Sequence, residues 1–314
     1  MTSASETFRA GPGNVSEDRS ALFAAIAAYF LWGGLSLLFM ALGHEGVGAW
    51  EIIAQRCIWS LPWAAGLVLL AGRQGEAWAV LRKPRTLLWL SATATLVSVN
   101  WAIFVFASTT GHKLDASLGY YINPLLNMAA GAVLFRERIS RAGLAAIVLA
   151  VIGVALQAAA IGHPPWVALS LAVTFWGYGV LRKQAPVGAQ VGLFVECLML
   201  APIGIGYLVR LHGQGIPPLG PTPAATLLIL ATGPATVIPL ALFAFAMRKL
   251  PMSLMGFLQF IMPTIAFVIA MATGEVLTPL SALSFVFIWA GVAVFCAGSV
   301  RAARALKQRS GSAT

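Results

Sequence analysis

The stretch Asp115–Ile139 reads DASLGYYINPLLNMAAGAVLFRERI, an apolar run with Asn123 and Pro124 at its middle. The same plan returns at Leu254–Leu277, LMGFLQFIMPTIAFVIAMATGEVL, with Pro263 near its centre. A proline and amides inside a long apolar segment would weaken a soluble core, because they leave backbone groups unpaired. In a membrane protein the same features are typical of an interrupted helix at a binding site. Their presence twice indicates an internal repeat.

The composition of the 314 residues indicates an integral membrane protein. Hydrophobic residues make up 59% of the chain and charged residues 10%, whereas soluble domains have about 45–50% and about 25%. The net charge of +10 comes from basic residues scattered between apolar runs, so it indicates membrane topology rather than nucleic-acid binding. The three cysteines fall inside apolar runs without CxxC spacing. We therefore expect neither a disulfide framework nor a metal site.

Runs long enough to span a bilayer as a helix, about 20 apolar residues, occur ten times. They cover roughly 22–42, 49–71, 86–108, 114–135, 142–161, 165–183, 189–210, 223–245, 250–273 and 279–300. The two tails and the loops after the second, fourth, sixth and eighth runs hold 17 of the 20 Lys and Arg. This asymmetry predicts that both termini are cytosolic. The sequence thus predicts an all-α membrane protein with a disordered cytosolic tail at 1–20 and a basic cytosolic tail at 301–314.

The two halves of the chain repeat each other. Arg56 corresponds to Glu196, each followed directly by a cysteine, and YINP at Tyr121 corresponds to FIMP at Phe260. Five helices per half is an odd number, so the second half crosses the membrane in the opposite orientation. Known transporters with such inverted repeats bind substrate near the midplane, where the repeats meet. The predicted repeats are 21–161 and 162–300.

Two ionisable side chains, Arg56 and Glu196, lie well inside apolar runs. A charge there costs about 2.5–3.5 kcal/mol and marks a functional residue by default. Each is the eighth residue of its run, which places it about 10–12 Å into a hydrocarbon core about 30 Å thick. We expect both to face one cavity, with Arg56 holding a substrate anion or carboxylate and Glu196 either pairing with Arg56 or accepting a coupling proton. A purely structural pair is the alternative.

Polar residues in the two interrupted runs complete the predicted site. Tyr120, Asn123 and Asn127 have the spacing of one helix face. Pro124 and Pro263 each lack a backbone donor, so we expect helix breaks that free carbonyl groups for a ligand. The predicted substrate-binding residues are Arg56, Asn100, Trp101, Tyr120, Asn123, Glu196 and Gln259. The alternative is that the prolines kink helices for packing and the amides bond across helices.

The remaining charges have plainer interpretations. Asp115, at the start of the fourth run, is a candidate for proton coupling or for a cap that complements the helix dipole. Glu137 and Glu275 lie at helix ends, where we expect them to pair with arginine or to cap. Arg182 and Lys183 count among the cytosolic loop charges that set orientation.

Several blocks in order, among them EIIAQRCIWS, NWAIFVFA, DASLGYYINPLLN and GFLQFIMPT, resemble the RarD proteins of the EamA family in the drug/metabolite transporter superfamily. The resemblance covers about residues 20–300. It implies two EamA repeats of five helices, a multi-pass protein of the bacterial inner membrane, and export or exchange of small metabolites or drugs. It also places the family's polar membrane positions on Arg56, Asn100, Trp101, Asn123, Glu196 and Gln259. The chain has Asp115 where the family pattern has Glu, which shortens the reach of that carboxylate.

We therefore predict a secondary transporter, an exporter or exchanger of small metabolites or drugs, that works by alternating access. No HExxH, HxxxxD or cluster of acids occurs, so enzymatic chemistry is not expected. A small-ligand membrane sensor or accessory protein without turnover is the alternative. The expected partners are a small-molecule substrate and the lipid bilayer, without a cofactor or nucleic acid. A homodimer, and the choice between proton coupling and uncoupled exchange, stay open.

Overall fold

A computed structural model of the chain describes residues 15–109, 113–161, 164–272 and 278–311. Within those ranges, every regular element is an α-helix. This follows from the apolar runs, because in lipid each backbone N–H and C=O must find its partner inside the protein. The helices are α1 (Val15–His44), α2 (Ala49–Leu70), α3 (Gln74–Leu81), α4 (Pro84–Thr109), α5 (Lys113–Val133), α6 (Arg141–Ile161), α7 (Trp166–Gln184), α8 (Ala189–His212), α9 (Pro223–Lys249), α10 (Met252–Gln259), α11 (Ile261–Ala272) and α12 (Pro279–Gly311).

Length and apolar composition qualify six of the described helices to cross a membrane: α1, α2, α4, α6, α8 and α9. Many large apolar side chains on these helices point away from the rest of the protein, including Phe23, Leu70 and Ile203. Such outward apolar faces suit lipid rather than water. The chain is an all-helical integral membrane protein.

Nine of the ten predicted runs coincide with one helix each. The run 250–273 is instead two helices, α10 and α11, that meet at Phe260. This agrees with the break predicted at Pro263. The proline lies in the first turn of α11, where a helix needs no backbone donor. The break predicted at Pro124 is wrong, since α5 passes through this residue without ending. One missing N–H removes a single bond, and the flanking bonds continue the helix.

Both ends of the helical region extend further than predicted. α1 begins at Val15, inside the predicted disordered tail 1–20, and α12 reaches Gly311, inside the predicted tail 301–314. Ala, Arg, Leu and Lys, the main residues after position 300, favour helix without help from lipid. The search for long apolar runs also missed α3, since eight residues are too few to span a bilayer.

The helices pack in reciprocal pairs. α1 contacts α9 and α11, while α7 contacts α4 and α5. α2 contacts α9, and in the same way α8 contacts α4. α2 also packs along α8, α5 along α10, and α6 along α12. The largest buried cluster joins α1, α7 and α9 to α2, α4, α5, α8 and α10, and it contains Tyr29, Tyr178 and Phe243.

Glycines allow the closest of these helix contacts. A Cβ atom on Gly204 of α8 would lie 2.6 Å from the carbonyl oxygen of Ala54 in α2. A Cβ on Gly256 of α10 would lie 2.6 Å from the carbonyl oxygen of Pro124 in α5. Such short approaches are possible only without a side chain, as in small-residue contacts of other membrane helices.

We expect the substitution Gly204→Val to destabilise the protein, because a side chain there must push α8 away from α2. Overpacking of this kind costs about 1–3 kcal/mol. Gly206→Val is the matched control, since a Cβ on Gly206 meets no atom within 4 Å. Thermal unfolding of the detergent-solubilised variants measures the difference. Equal melting temperatures for the two variants would contradict the close contact.

Candidate functional site

A cavity of about 180 Å³ lies between eight of the helices. Its lining residues are Trp32, Gly33, Leu35, Phe39, Arg56, Val97, Asn100, Trp101, Phe104, Gly119, Tyr120, Asn123, Leu171, Phe175, Leu240, Gln259, Met262 and Pro263. Six of the seven side chains predicted to bind substrate are in this set, together with Pro263. The exception is Glu196. The structure therefore brings most of the predicted site together in one apolar chamber with few polar groups.

Arg56 supplies the cavity with a positive charge held in a fixed position. Its side chain is 6% exposed, and its Nε atom donates to Thr236 Oγ1 at 3.0 Å. The guanidinium carbon lies 4.3 Å from the ring centroid of Trp101 and 5.1 Å from that of Phe39. Aromatic faces attract a cation and orient it. Within the described part of the chain, the two terminal nitrogens of Arg56 have no protein acceptor.

A chain of amides joins three helices at the side of the cavity. Asn123 in α5 donates to the carbonyl oxygen of Ala172 in α7 at 3.2 Å. Asn127 donates to Asn123 Oδ1 at 3.2 Å and to Gln259 Oε1 at 2.7 Å. The bonds to Ala172 and to Gln259 cross between helices, as in the packing alternative considered for the amides. They also leave the Nε2 group of Gln259 as a donor beside the cavity.

Asn100 is held in a similar way on another wall. Its Nδ2 atom donates to the carbonyl oxygen of Leu171 at 2.8 Å and to Thr174 Oγ1 at 3.0 Å. Both donors of the amide are used, so Oδ1 is left as an acceptor. The aromatic ring of Tyr120, which also lines the cavity, lies 6.1 Å from the ring of Phe104.

Glu196 belongs to a separate buried cluster. Its Oε1 atom accepts from Thr93 Oγ1 at 2.5 Å and lies 3.4 Å from Nη1 of Arg182, and its Oε2 atom accepts from the Tyr178 hydroxyl at 3.4 Å. The predicted pairing of Glu196 with Arg56 is therefore wrong, because the ion-pair partner is Arg182. Its predicted role in proton coupling remains a prediction.

Arg182 was predicted to be a loop charge, but it is 1% exposed. It lies in the last turn of α7, and the short connection to α8 turns the chain back so that Arg182 faces the second turn of α8. Gly192 leaves the space for the guanidinium group, whose Nη2 also donates to the carbonyl oxygen of Ala189 at 3.0 Å. The sequence contains no signal for this pair, because the same charges would also be compatible with a packing that places Glu196 beside Arg56.

Other side chains clamp the α7–α8 turn. Arg248 Nη1 donates to the carbonyl oxygens of Ala185 and Val187, and Gly188 N donates to Glu76 Oε1 at 3.3 Å. Lys183 Nζ donates to the carbonyl oxygen of Met247 in the last turn of α9 at 3.1 Å, and to that of Leu250, the residue after α9, at 2.6 Å. The turn is therefore fixed to α3 and α9.

An aromatic cluster separates the cavity from the Glu196 cluster. It consists of Tyr29, Trp32, Phe175, Tyr178 and Phe243, with ring centroids 5.4–6.2 Å apart. Trp32 and Phe175 face the cavity, while the hydroxyl of Tyr178 contacts Glu196. Tyr29, Tyr178 and Phe243 are fully buried. The cavity is thus closed by packed rings on the side of Glu196.

The remaining acids have different outcomes. Glu137 accepts from the backbone N of Met252 at 2.6 Å and of Ser253 at 3.0 Å, which confirms the expected cap, here on α10. The side chain of Asp115, in the first turn of α5, and the whole of Glu275 lie outside the described residues. Within the described ranges, no group of three His, Cys, Asp or Glu side chains could hold a metal ion.

We expect Glu196→Gln to destabilise the protein, because it leaves the Arg182 charge buried without its counterion. Removing one member of a buried pair costs about 3–5 kcal/mol. The double variant Glu196→Gln/Arg182→Met should recover part of the loss. Glu76→Gln breaks an exposed pair with Arg73 but keeps an acceptor oxygen for Gly188 N, so it should change stability by less than about 1 kcal/mol. Thermal unfolding in detergent tests this order. A double variant no more stable than the single one would rule out the coupling.

Known proteins are similar to this chain over most of its length, and their names agree with the family resemblance noted in the sequence. No protein-family model matches. The chain is 38% identical to an uncharacterized transporter of Vibrio cholerae over 92% of this chain and 96% of the relative. It is 34% identical to protein RarD of Escherichia coli over 90% of this chain and 95% of the relative. A solved crystal structure shares the fold, with a TM-score of 0.70 at 22% identity over 90% of this chain and 98% of the other. The chain belongs to the RarD family, within the EamA branch of the drug/metabolite transporter superfamily.

Proposed function

We propose that this protein is a secondary transporter that exports or exchanges a small metabolite or drug by alternating access. The observation that carries the proposal is an apolar cavity that packed aromatic rings close on the side of Glu196. It is lined by one buried cation, Arg56, whose terminal nitrogens are unused hydrogen-bond donors. The relatives from Vibrio cholerae and Bacillus subtilis are named as uncharacterized transporters, which agrees with this function. Arg56, Asn100, Trp101, Tyr120, Asn123 and Gln259 are the proposed substrate-binding residues.

The proposed architecture is ten membrane-spanning segments in two inverted five-helix repeats, 21–161 and 162–300. In it, α10 and α11 together form one span and α3 lies between the second and third spans. The reciprocal helix contacts support this arrangement, since α1 with α9 and α11 mirrors α7 with α4 and α5. Two repeats related in this way can exchange conformations, which is the basis of alternating access.

The two inward charges support the repeat in more detail. Arg56 is the eighth residue of α2 and bonds to Thr236 of α9, and Glu196 is the eighth residue of α8 and bonds to Thr93 of α4. The helices exchange roles as an inverted repeat requires. One charge borders the cavity and the other is enclosed. We infer that the opposite conformation would expose the side near Glu196 and enclose Arg56.

The proposed location is the bacterial inner membrane, with both termini in the cytosol. Arg56 and Tyr120, each eight residues into its helix, then lie in the outer half of the membrane, and the Glu196 cluster lies toward the cytosol. The described conformation would be closed on the cytosolic side by the aromatic cluster and the clamped α7–α8 turn. Proton coupling through Glu196 or Asp115 and uncoupled exchange are both compatible with this arrangement.

The proposed topology predicts the activity of reporter fusions in bacteria. An alkaline phosphatase fused within the α8–α9 connection at Gln214 should be active, because this loop faces the periplasm. Phosphatase fused at Lys83, between α3 and α4, should be inactive, and green fluorescent protein at the C-terminus should fluoresce. The reverse pattern would contradict the orientation, and phosphatase activity at both sites would contradict the alternation.

The proposed function predicts exchange by purified protein in liposomes. Vesicles loaded with a bacterial metabolite extract and placed in an isotope-labelled extract should exchange a subset of compounds, identified by mass spectrometry. Arg56→Gln should reduce this exchange by about tenfold or more, because a charge-assisted hydrogen bond to the substrate is lost. Arg82→Gln is the control, since Arg82 also stacks on a tryptophan, Trp78, but lies on the exposed α3–α4 connection.

The same experiment separates the alternatives. A sensor or accessory protein would retain at most a stoichiometric amount of ligand and exchange nothing. Exchange by Arg56→Gln at the wild-type rate would show that the cavity is not the transport site. An imposed proton gradient drives accumulation only if transport is coupled to protons.

A further inference from the structure

We propose that the cavity binds a small organic monoanion, made of a carboxylate joined to a single aromatic ring. The proposal names the substrate class of the transport site and so rests on the proposed function for turnover, but binding itself is tested separately. Three properties of the cavity support it: the state of Arg56, the balance of unused polar groups, and the volume with its aromatic walls.

The charge of Arg56 has no counterion among the described residues. The acids that form ion pairs there, Glu76 and Glu196, do so with Arg73 and Arg182. A buried cation without a counterion is unfavourable in a membrane interior, and two aromatic faces and one hydroxyl compensate only part of the loss. A ligand anion supplies the missing charge at the place where the protein has none.

The geometry of Arg56 selects the shape of that anion. Nε is occupied by Thr236, and the rings of Trp101 and Phe39 lie against the guanidinium group. The two terminal nitrogens remain, and these can donate two parallel hydrogen bonds to a planar group with two oxygens. A carboxylate has this form.

The other unused polar groups also favour an acceptor-rich ligand. Gln259 offers its Nε2 donor, because its Oε1 accepts from Asn127. Asn100 offers one acceptor oxygen, because both of its donors are used. Donors on Arg56 and Gln259 therefore outnumber the acceptor on Asn100, and the hydroxyl of Tyr120, also in the lining, can donate as well. A carboxylate, which only accepts when ionised, matches this excess of donors.

The volume and the walls limit the rest of the ligand. An apolar protein cavity of about 150 Å³ can hold one benzene molecule, so about 180 Å³ has room for one six-membered ring with a small substituent. The walls include the rings of Trp32, Trp101, Phe104 and Phe175, which suit a flat aromatic body. This volume favours a single ring over three fused rings.

Binding of four probes to the full-length protein in detergent tests the proposal. The probes are benzoate, its uncharged analogue benzamide, the cation benzylamine, and the three-ring anion anthracene-9-carboxylate. Isothermal calorimetry and thermal unfolding should both detect benzoate, with an affinity at least about tenfold above that of each other probe. Equal affinity for benzamide or benzylamine would overturn the claim that the ligand is an anion. Equal affinity for the three-ring anion would overturn the limit on ligand size.

Variants assign the binding to Arg56. Arg56→Gln should weaken benzoate binding by about tenfold or more, and Arg56→Lys should weaken it while keeping the preference for benzoate over benzamide, because the charge stays but the fork is lost. Arg82→Gln should bind as the wild type does. If Arg56→Gln does not fold, Arg56→Lys and the probe series still decide. Unchanged benzoate affinity in a folded Arg56 variant would overturn the assignment.

The two proposals fail in different ways. Benzoate binding by a protein that exchanges nothing in liposomes would leave the ligand class standing and overturn the transport function. Exchange of labelled metabolites by a protein that does not bind benzoate would leave transport standing and overturn the ligand class.

Discussion

A charge buried in a low-dielectric membrane protein must have its hydrogen bonds and its counterion supplied from nearby, and this requirement shapes the surroundings of Arg56 and Glu196. Glu196 has both, from Thr93, Tyr178 and Arg182. Arg56, the eighth residue of α2 as Glu196 is of α8, has one hydroxyl partner and two aromatic faces. Among the described residues, the difference leaves the two terminal nitrogens of Arg56 available to a ligand beside the cavity. The cavity is lined by this arginine and not by the glutamate.

The helices around the cavity are held by different kinds of contact at its two ends. Beside the cavity, amide bonds connect Asn123 and Gln259 through Asn127, and they use part of each group. At the other end, the helices are held by packed aromatic rings and by hydrogen bonds around the α7–α8 turn. Opening the bundle at that end requires all of these contacts to separate together. Many contacts therefore close the bundle on the side of Glu196, while the cavity keeps polar groups that can bind a ligand.

Much of the fold and most of the site could be predicted from the sequence. The apolar runs marked nine helices, and spacing along one helix face brought Tyr120 and Asn123 into the candidate site. The break expected at Pro124 does not occur, since a helix supported on several sides tolerates the loss of one bond. Thr236, which orients Arg56, was missed because a threonine in an apolar helix looks like many others. Its recognition needs the neighbouring helix.

What the sequence by itself determined is the class of the protein, because the thickness of a bilayer sets the length of each apolar run. Only the tertiary structure decided which charges meet. Arg56 and Glu196 are equivalent in sequence and look like natural partners, yet the short α7–α8 turn folds Arg182 back onto Glu196 first. Ion pairs act over a few ångströms. Which charged residues pair therefore depends on how the helices pack, and this cannot be read from their spacing in the sequence.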